Sequence, residues 1–145
     1  MDRRLTIPLE PKTKKNSQQI IRIGGRPVIV QGKDYKDYEK QAAALLREQI
    51  PEEERPFYPI MTPVNVQAVY YRRTRIRVDI TNLESALMDV LVKAGILSDD
   101  NCFLVVSTDG SRVRYDKDNP RTEIRITDSD EADPEFSNMK GPKKK

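Results

Sequence analysis

Between residues 64 and 94 the hydrophobic period changes once, and that change limits what the chain can build. Val64, Val66, Ala68 and Tyr70 alternate with Asn65, Gln67, Val69 and Tyr71. This period of two predicts a strand with one face buried. Further on, Leu83, Leu87, Val90, Leu91 and Ala94 fall at the spacing of a single helical stripe, which predicts a helix over 82–94. Thr81 followed by Glu84 has the form of a capping box, and Gly95 is a natural stop. A one-faced strand next to a one-striped helix buries both apolar surfaces only when one packs on the other.

The flanking segments extend this picture. Leu5, Ile7 and Leu9 alternate as a first strand, followed by a basic loop over 11–16. Residues 19–23 and 26–30 form a hairpin around Gly24-Gly25. A helix over 33–50 gathers Tyr38, Ala42, Leu45, Leu46 and Ile50 on one face, and Pro51 opens a proline-containing loop. Short strands are expected over 103–106 and over 122–127, where Ile124 and Ile126 point inward. The expected fold is α+β: a single domain over 1–127, with a mixed β-sheet and two helices packed on one face. Residues 128–145, polar and ending in lysines, are expected to be a disordered charged tail.

Composition then removes whole classes of chemistry. The chain has no histidine and a single cysteine, Cys102. Ser-His-Asp and Cys-His catalysis, histidine-metal sites and disulfide frameworks are therefore excluded within it. No apolar run long enough to cross a membrane occurs, and the first residues lack the apolar stretch of a secretory signal. A cytoplasmic protein with no membrane partner is expected.

What remains for catalysis is carboxylates, lysines, arginines and hydroxyls. The net charge of +3 is modest, but bases cluster at Lys12, Lys14 and Lys15 and again at Arg72, Arg73, Arg75 and Arg77. Such clusters suit phosphate-backbone contact, and they also suit a plain solvated surface. The acids Asp79, Asp89, Asp99 and Asp100 lie before, within and after the second helix, and Asn82, Ser85 and Asp89 share a polar face. Grouped carboxylates hold Mg²⁺, which activates water for phosphodiester hydrolysis without histidine. Each acid also has a structural use. Asp79 can interact with the helix N-terminus, Asp89 can pair with Lys93, Glu84 can complete the capping box, and Asp99-Asp100-Asn101 can form a turn.

Chain geometry restricts which acids can meet. Thirteen helical residues rise about 20 Å, and the steps from Gly95 to Asp100 reach at most about 17 Å. Asp100 returns to its own chain's Asp79 only through a nearly extended loop. Otherwise it meets Asp89, or the Asp79 of a partner subunit.

The segment Arg72-Arg73-Thr74-Arg75-Ile76-Arg77-Val78-Asp79-Ile80-Thr81-Asn82-Leu83, the Ala86-Leu87-Met88-Asp89-Val90-Leu91 run and the stretch Lys93-Ala94-Gly95-Ile96-Leu97-Ser98-Asp99-Asp100 together resemble the RusA family of Holliday-junction resolvases. Weaker likeness extends to the first strand and its loop ending in Asn16, the hairpin, the start of the first helix and the last strand. The resemblance implies a homodimeric, Mg²⁺-dependent endonuclease (Mn²⁺ can stand in), often phage- or prophage-encoded, acting on four-way DNA junctions in recombination and repair. It implies metal binding by Asp79 and Asp100, with Asp89 or Asp99 completing a catalytic set. Lys14, Lys15, Asn16, Arg73, Arg75 and Arg77 are the expected DNA contacts. Two positions depart from the family pattern: Thr81 stands where a second acid is usual, and Ser85 where a lysine is usual. Lys93, Arg77 or the Lys14-Lys15 loop are the candidate replacements for that lysine. A catalytically impaired branched-DNA-binding protein of the same fold is the alternative, and an interaction protein that recruits a partner through its tail is a third possibility.

Overall fold

The computed structural model describes residues 1–14 and 18–130. Among these described residues, seven strands, two α-helices and a 3₁₀ helix follow one another as β1 (Asp2–Ile7), β2 (Gln18–Ile23), β3 (Arg26–Gln31), α1 (Lys33–Glu48), the 3₁₀ helix (Glu52–Phe57), β4 (Val64–Arg72), α2 (Ile80–Lys93), β5 (Val105–Ser107), β6 (Arg112–Tyr115) and β7 (Arg121–Asp128). The main sheet runs β1-β7-β4-β5, and β6 also pairs with β4. β7 is antiparallel to both of its neighbours, whereas β5 and β6 lie parallel to β4. The sheet is therefore mixed and the domain α+β. No helix among the described residues is long and apolar enough to cross a membrane.

The alternation in β4 is realised residue by residue: Val64, Val66, Ala68 and Tyr70 are buried, and their neighbours are only partly so. In β7, Ile124 and Ile126 sit opposite Ala68 and Val66 and join the same face. Leu5 and Ile7 of β1, Leu46 of α1, and Leu83, Leu87, Val90 and Leu91 of α2 complete this core. Each large aliphatic side chain fully buried there contributes about 1.5–3 kcal/mol.

The hairpin forms as expected, as a separate two-stranded sheet. Its turn requires Gly24 and Gly25, whose φ angles of 59° and 80° suit glycine.

Several local expectations are corrected. The first strand stops at Ile7, short of Leu9. Helix α1 ends at Glu48 rather than Ile50, and it buries Tyr35 and Ala43 in addition to the expected face. Leu45 is only half-buried. The segment after Pro51 is a 3₁₀ helix rather than a loop, its first turn rich in acids that favour a helix N-terminus. Helix α2 begins at Ile80 with Asp79 as N-cap, so Thr81 lies inside the first turn and the Thr81–Glu84 capping box does not form. The strand expected over 103–106 is displaced to Val105–Ser107, because Asn101 draws Phe103, Leu104 and Val105 into a turn. β6 was not anticipated. The tail lies outside the described residues from 131 onward, while Asp128 still pairs with Val64 in the sheet.

Candidate active site

The sharp end of α2 sets the position of the later acids. Gly95, with φ 74°, follows the helix in the left-handed region. The Ile96 amide donates to the Leu91 carbonyl at 2.9 Å, and the Gly95 amide to the Val92 carbonyl at 3.0 Å. These two bonds form a Schellman motif and turn the chain back on the helix. The next residues are then fixed to the segment before β4: Ile60 donates to Ile96 at 2.8 Å, and Ser98 donates to Ile60 at 3.1 Å. Asp99 and Asp100 therefore emerge from an anchored segment.

Asp99 organises the turn itself. One carboxylate oxygen accepts the Asp100 amide at 2.7 Å, and the other accepts the Asn101 side-chain amide at 3.1 Å. The Asp100 backbone bond first, then the Asn101 side chain, holds the Asp99 carboxyl below the ordinary carboxylate value. The turn expected as a structural use of Asp99-Asp100-Asn101 is present, with Asp99 and Asn101 as its hydrogen-bonding members.

Asp89, on α2, pairs with Lys14 rather than with Lys93. Lys93 instead bridges to Glu39 on α1 at 3.0 Å. The loop carrying Lys14 runs beside α2. Glu10 accepts the Arg73 amide at 2.9 Å, and Lys12 and Thr13 line a small hollow with Val78 and Leu83 near the start of that helix. Lys14 then reaches Asp89, further along. Lys14, Asp89, Asp99 and Asp100 line one open cleft of about 490 Å³, with Glu39 and Lys93 on its α1 side. The buried Tyr35 ring also lines the cleft, and burial, followed by the Glu39 charge, pushes its phenol up and keeps it protonated.

Asp79 stands apart from this cleft. As N-cap of α2 it lies about 15 Å along the axis from Asp89. Its carboxylate makes no cap hydrogen bond and is exposed, so the helix-terminal role is limited to a favourable position in the dipole. Asp100 shares its cleft with Asp89 and not with the Asp79 of its own chain. Among the described residues, no three acids are grouped so as to hold one metal ion. The donor chemistry nevertheless fits Mg²⁺, which takes oxygen ligands and is commonly held by only one or two carboxylates together with substrate phosphates.

Arg73, Arg75 and Arg77 are exposed on the segment between β4 and α2, at the Asp79 end of the helix. Lys15 and Asn16 lie outside the described residues. Glu84 turns towards Thr108, and burial pushes its carboxyl up. Sequence reasoning missed Tyr35 and Glu39, which reach the cleft only because α1 packs beside α2. Their spacing of four along α1 was the one available signal.

A family model described as endodeoxyribonuclease RusA matches residues 8–127. A search of curated proteins gives no match. The match includes the arginine-rich segment, all of α2 and the Asp99-Asp100 turn, and it covers every residue that lines the cleft. RusA enzymes are endonucleases that resolve Holliday junctions. With most of its length matched, this chain belongs to the RusA endodeoxyribonuclease family.

Proposed function

We propose that the chain is a Mg²⁺-dependent endonuclease that resolves four-way DNA junctions by paired nicks, two copies acting across the two-fold axis of the junction. The observation that carries this reading is the convergence of Lys14, Asp89, Asp99 and Asp100 on one open cleft in a member of a nuclease family. Mg²⁺ held there by Asp89 and Asp100 would supply Lewis acidity toward the attacking water and offset charge on the phosphate.

The chain's own residues carry the remaining tasks. Asp100 and Asp89 supply oxygen ligands, with Asp99 holding the turn that aims Asp100. Lys14 takes the role of the missing family lysine: its ammonium, opposite Asp89, lies where it can meet a phosphate drawn into the cleft. Arg73, Arg75 and Arg77 hold backbone phosphates, as do Lys15 and Asn16. Asp79 completes the ligand set from the second copy of a homodimer, which accommodates its distance from Asp100 along its own helix. Attack on the scissile phosphate leaves 5′-phosphate and 3′-hydroxyl ends.

The test is a labelled synthetic four-way junction incubated with protein and Mg²⁺ or Mn²⁺ under saturating binding. Symmetric nicks in opposite strands support the reading, and strands left intact refute it.

Thr81 and Ser85, at the positions of a family acid and lysine, favour a second reading: a junction-binding protein of the same fold without catalysis. It predicts salt-dependent junction binding that is indifferent to Mg²⁺ and no heat of metal binding by calorimetry.

A further inference from the structure

β6 (Arg112–Tyr115) is exposed at all four residues. Its parallel pairing with β4 sets Arg112 beside Val69 and Arg114 beside Tyr71. Tyr70, between those two, is buried in the core, so Val69 and Tyr71, and with them Arg112 and Arg114, face away from it. Tyr115 links this strand to the arginine segment that precedes α2: the Arg75 guanidinium sits 4.5 Å from its ring centroid.

Among the described residues, Arg3, Arg4, Lys14, Lys93, Arg121 and Arg125 are the side-chain cations in ion pairs. Arg73, Arg75, Arg77, Arg112 and Arg114 are not among them, and neither are cations on other elements such as Lys36, Lys40, Arg47 and Arg55. Arg121 stacks on Tyr71 at 3.8 Å, but its charge is already met by Asp116 and Glu123. The first five arginines are set apart by their grouping: they lie on two elements that meet at the Arg75–Tyr115 stack, with Tyr115 on the opposite face of the β6 edge from Arg112 and Arg114. Protection of a sheet edge explains charge on β6 alone. It does not explain why that charge continues into the segment leading to Asp79.

We propose that β6 and the arginine segment form one phosphate-binding track for an arm of branched DNA, with Arg112 and Arg114 as two backbone contacts outside the acidic cleft. This rests on the DNA-binding part of the reading above and is independent of cleavage. Each arginine that neutralises a phosphate releases a condensed counterion and adds about one unit to the salt dependence of binding.

The experiment is fluorescence anisotropy with a labelled four-way junction in EDTA, over about 50 to 200 mM salt. For the Arg112→Ala/Arg114→Ala variant, the log–log salt slope should be shallower by about two, with affinity about tenfold or more below wild type. Arg112→Lys/Arg114→Lys keeps the charges and should keep the slope. Lys40→Ala/Arg55→Ala removes two exposed cations from α1 and the 3₁₀ helix and should change neither quantity. Wild-type slope in the alanine pair, with junction binding intact, overturns the role of β6 while leaving the nuclease reading untouched. A change in oligomer size instead of slope would assign the edge to a second copy and also overturn the proposal. Failure of the wild type to bind junctions would overturn both this inference and the reading on which it rests.

Discussion

Lys14, from the loop after β1, pairs with Asp89 in the second half of α2. The pair brings a cation into the cleft that Asp99 and Asp100 also line. Both side chains remain about one-third exposed, so water screens the pair and it contributes at most about 1 kcal/mol to folding. Its value is local charge at the site. Lys14→Met should therefore slow single-turnover junction nicking by about a hundredfold, while thermal unfolding stays close to wild type. Lys14→Arg should restore part of the rate. Equal loss in both variants would assign Lys14 a purely steric role.

The separation of Asp79 from Asp100 along one chain yields a sharper test. Asp79→Asn and Asp100→Asn should each be inactive alone. When mixed and allowed to exchange subunits, they should regain nicking, because each mixed dimer then has one site with both acids intact. Nicking that does not return on mixing would place both acids in the same subunit's site.

Turn geometry makes Gly95 a stability determinant. Its φ of 74° is unfavourable for a side chain, although a Cβ there would meet no neighbouring atom. Gly95→Ala should cost about 1 kcal/mol from backbone strain and lower Tm by about 2–4 °C. Calorimetry measures this directly. A larger loss of nicking than of stability would indicate that the turn also aims Asp100.

Asp116 provides a pH signature away from the cleft. The Arg121 side chain, then the Asn119 amide, holds its carboxyl below the ordinary 3.8. A carboxyl lowered in the folded state adds stability above its unfolded pKa, and that stability is lost as pH falls through the folded value. Asp116→Asn should therefore lower Tm near neutrality, and the difference from wild type should shrink as the pH falls below 3.8 and the wild-type carboxylate is protonated. A difference that persisted unchanged in acid would exclude this ionisation as its source.

Much of this architecture was legible in the residues. The period of two in β4 and the stripe on α2 needed only local pattern, and Gly95 marked the helix end because a Schellman motif needs a left-handed residue there. Thr81 misled, since the order Thr-x-x-Glu imitates a capping box, whereas the chain enters the helix two residues earlier at Asp79. β6 was hidden because its residues are all exposed, so no apolar alternation reveals it. At the site, the sequence supplied the acids but not their grouping. The Lys14–Asp89 pair joins residues from distant elements, and Tyr35 and Glu39 reach the cleft through the packing of α1 beside α2. Asp89 and Lys93, correctly spaced to pair, each found a tertiary partner instead.

The central claim is that the cleft acids act on DNA with a divalent ion. The most direct measurement compares wild type and Asp100→Asn on a labelled four-way junction with Mg²⁺, at protein concentrations where both are fully bound. The account predicts Mg²⁺-dependent nicks by wild type and none above background by the variant, with junction affinity unchanged. Equal nicking by the two proteins would contradict it.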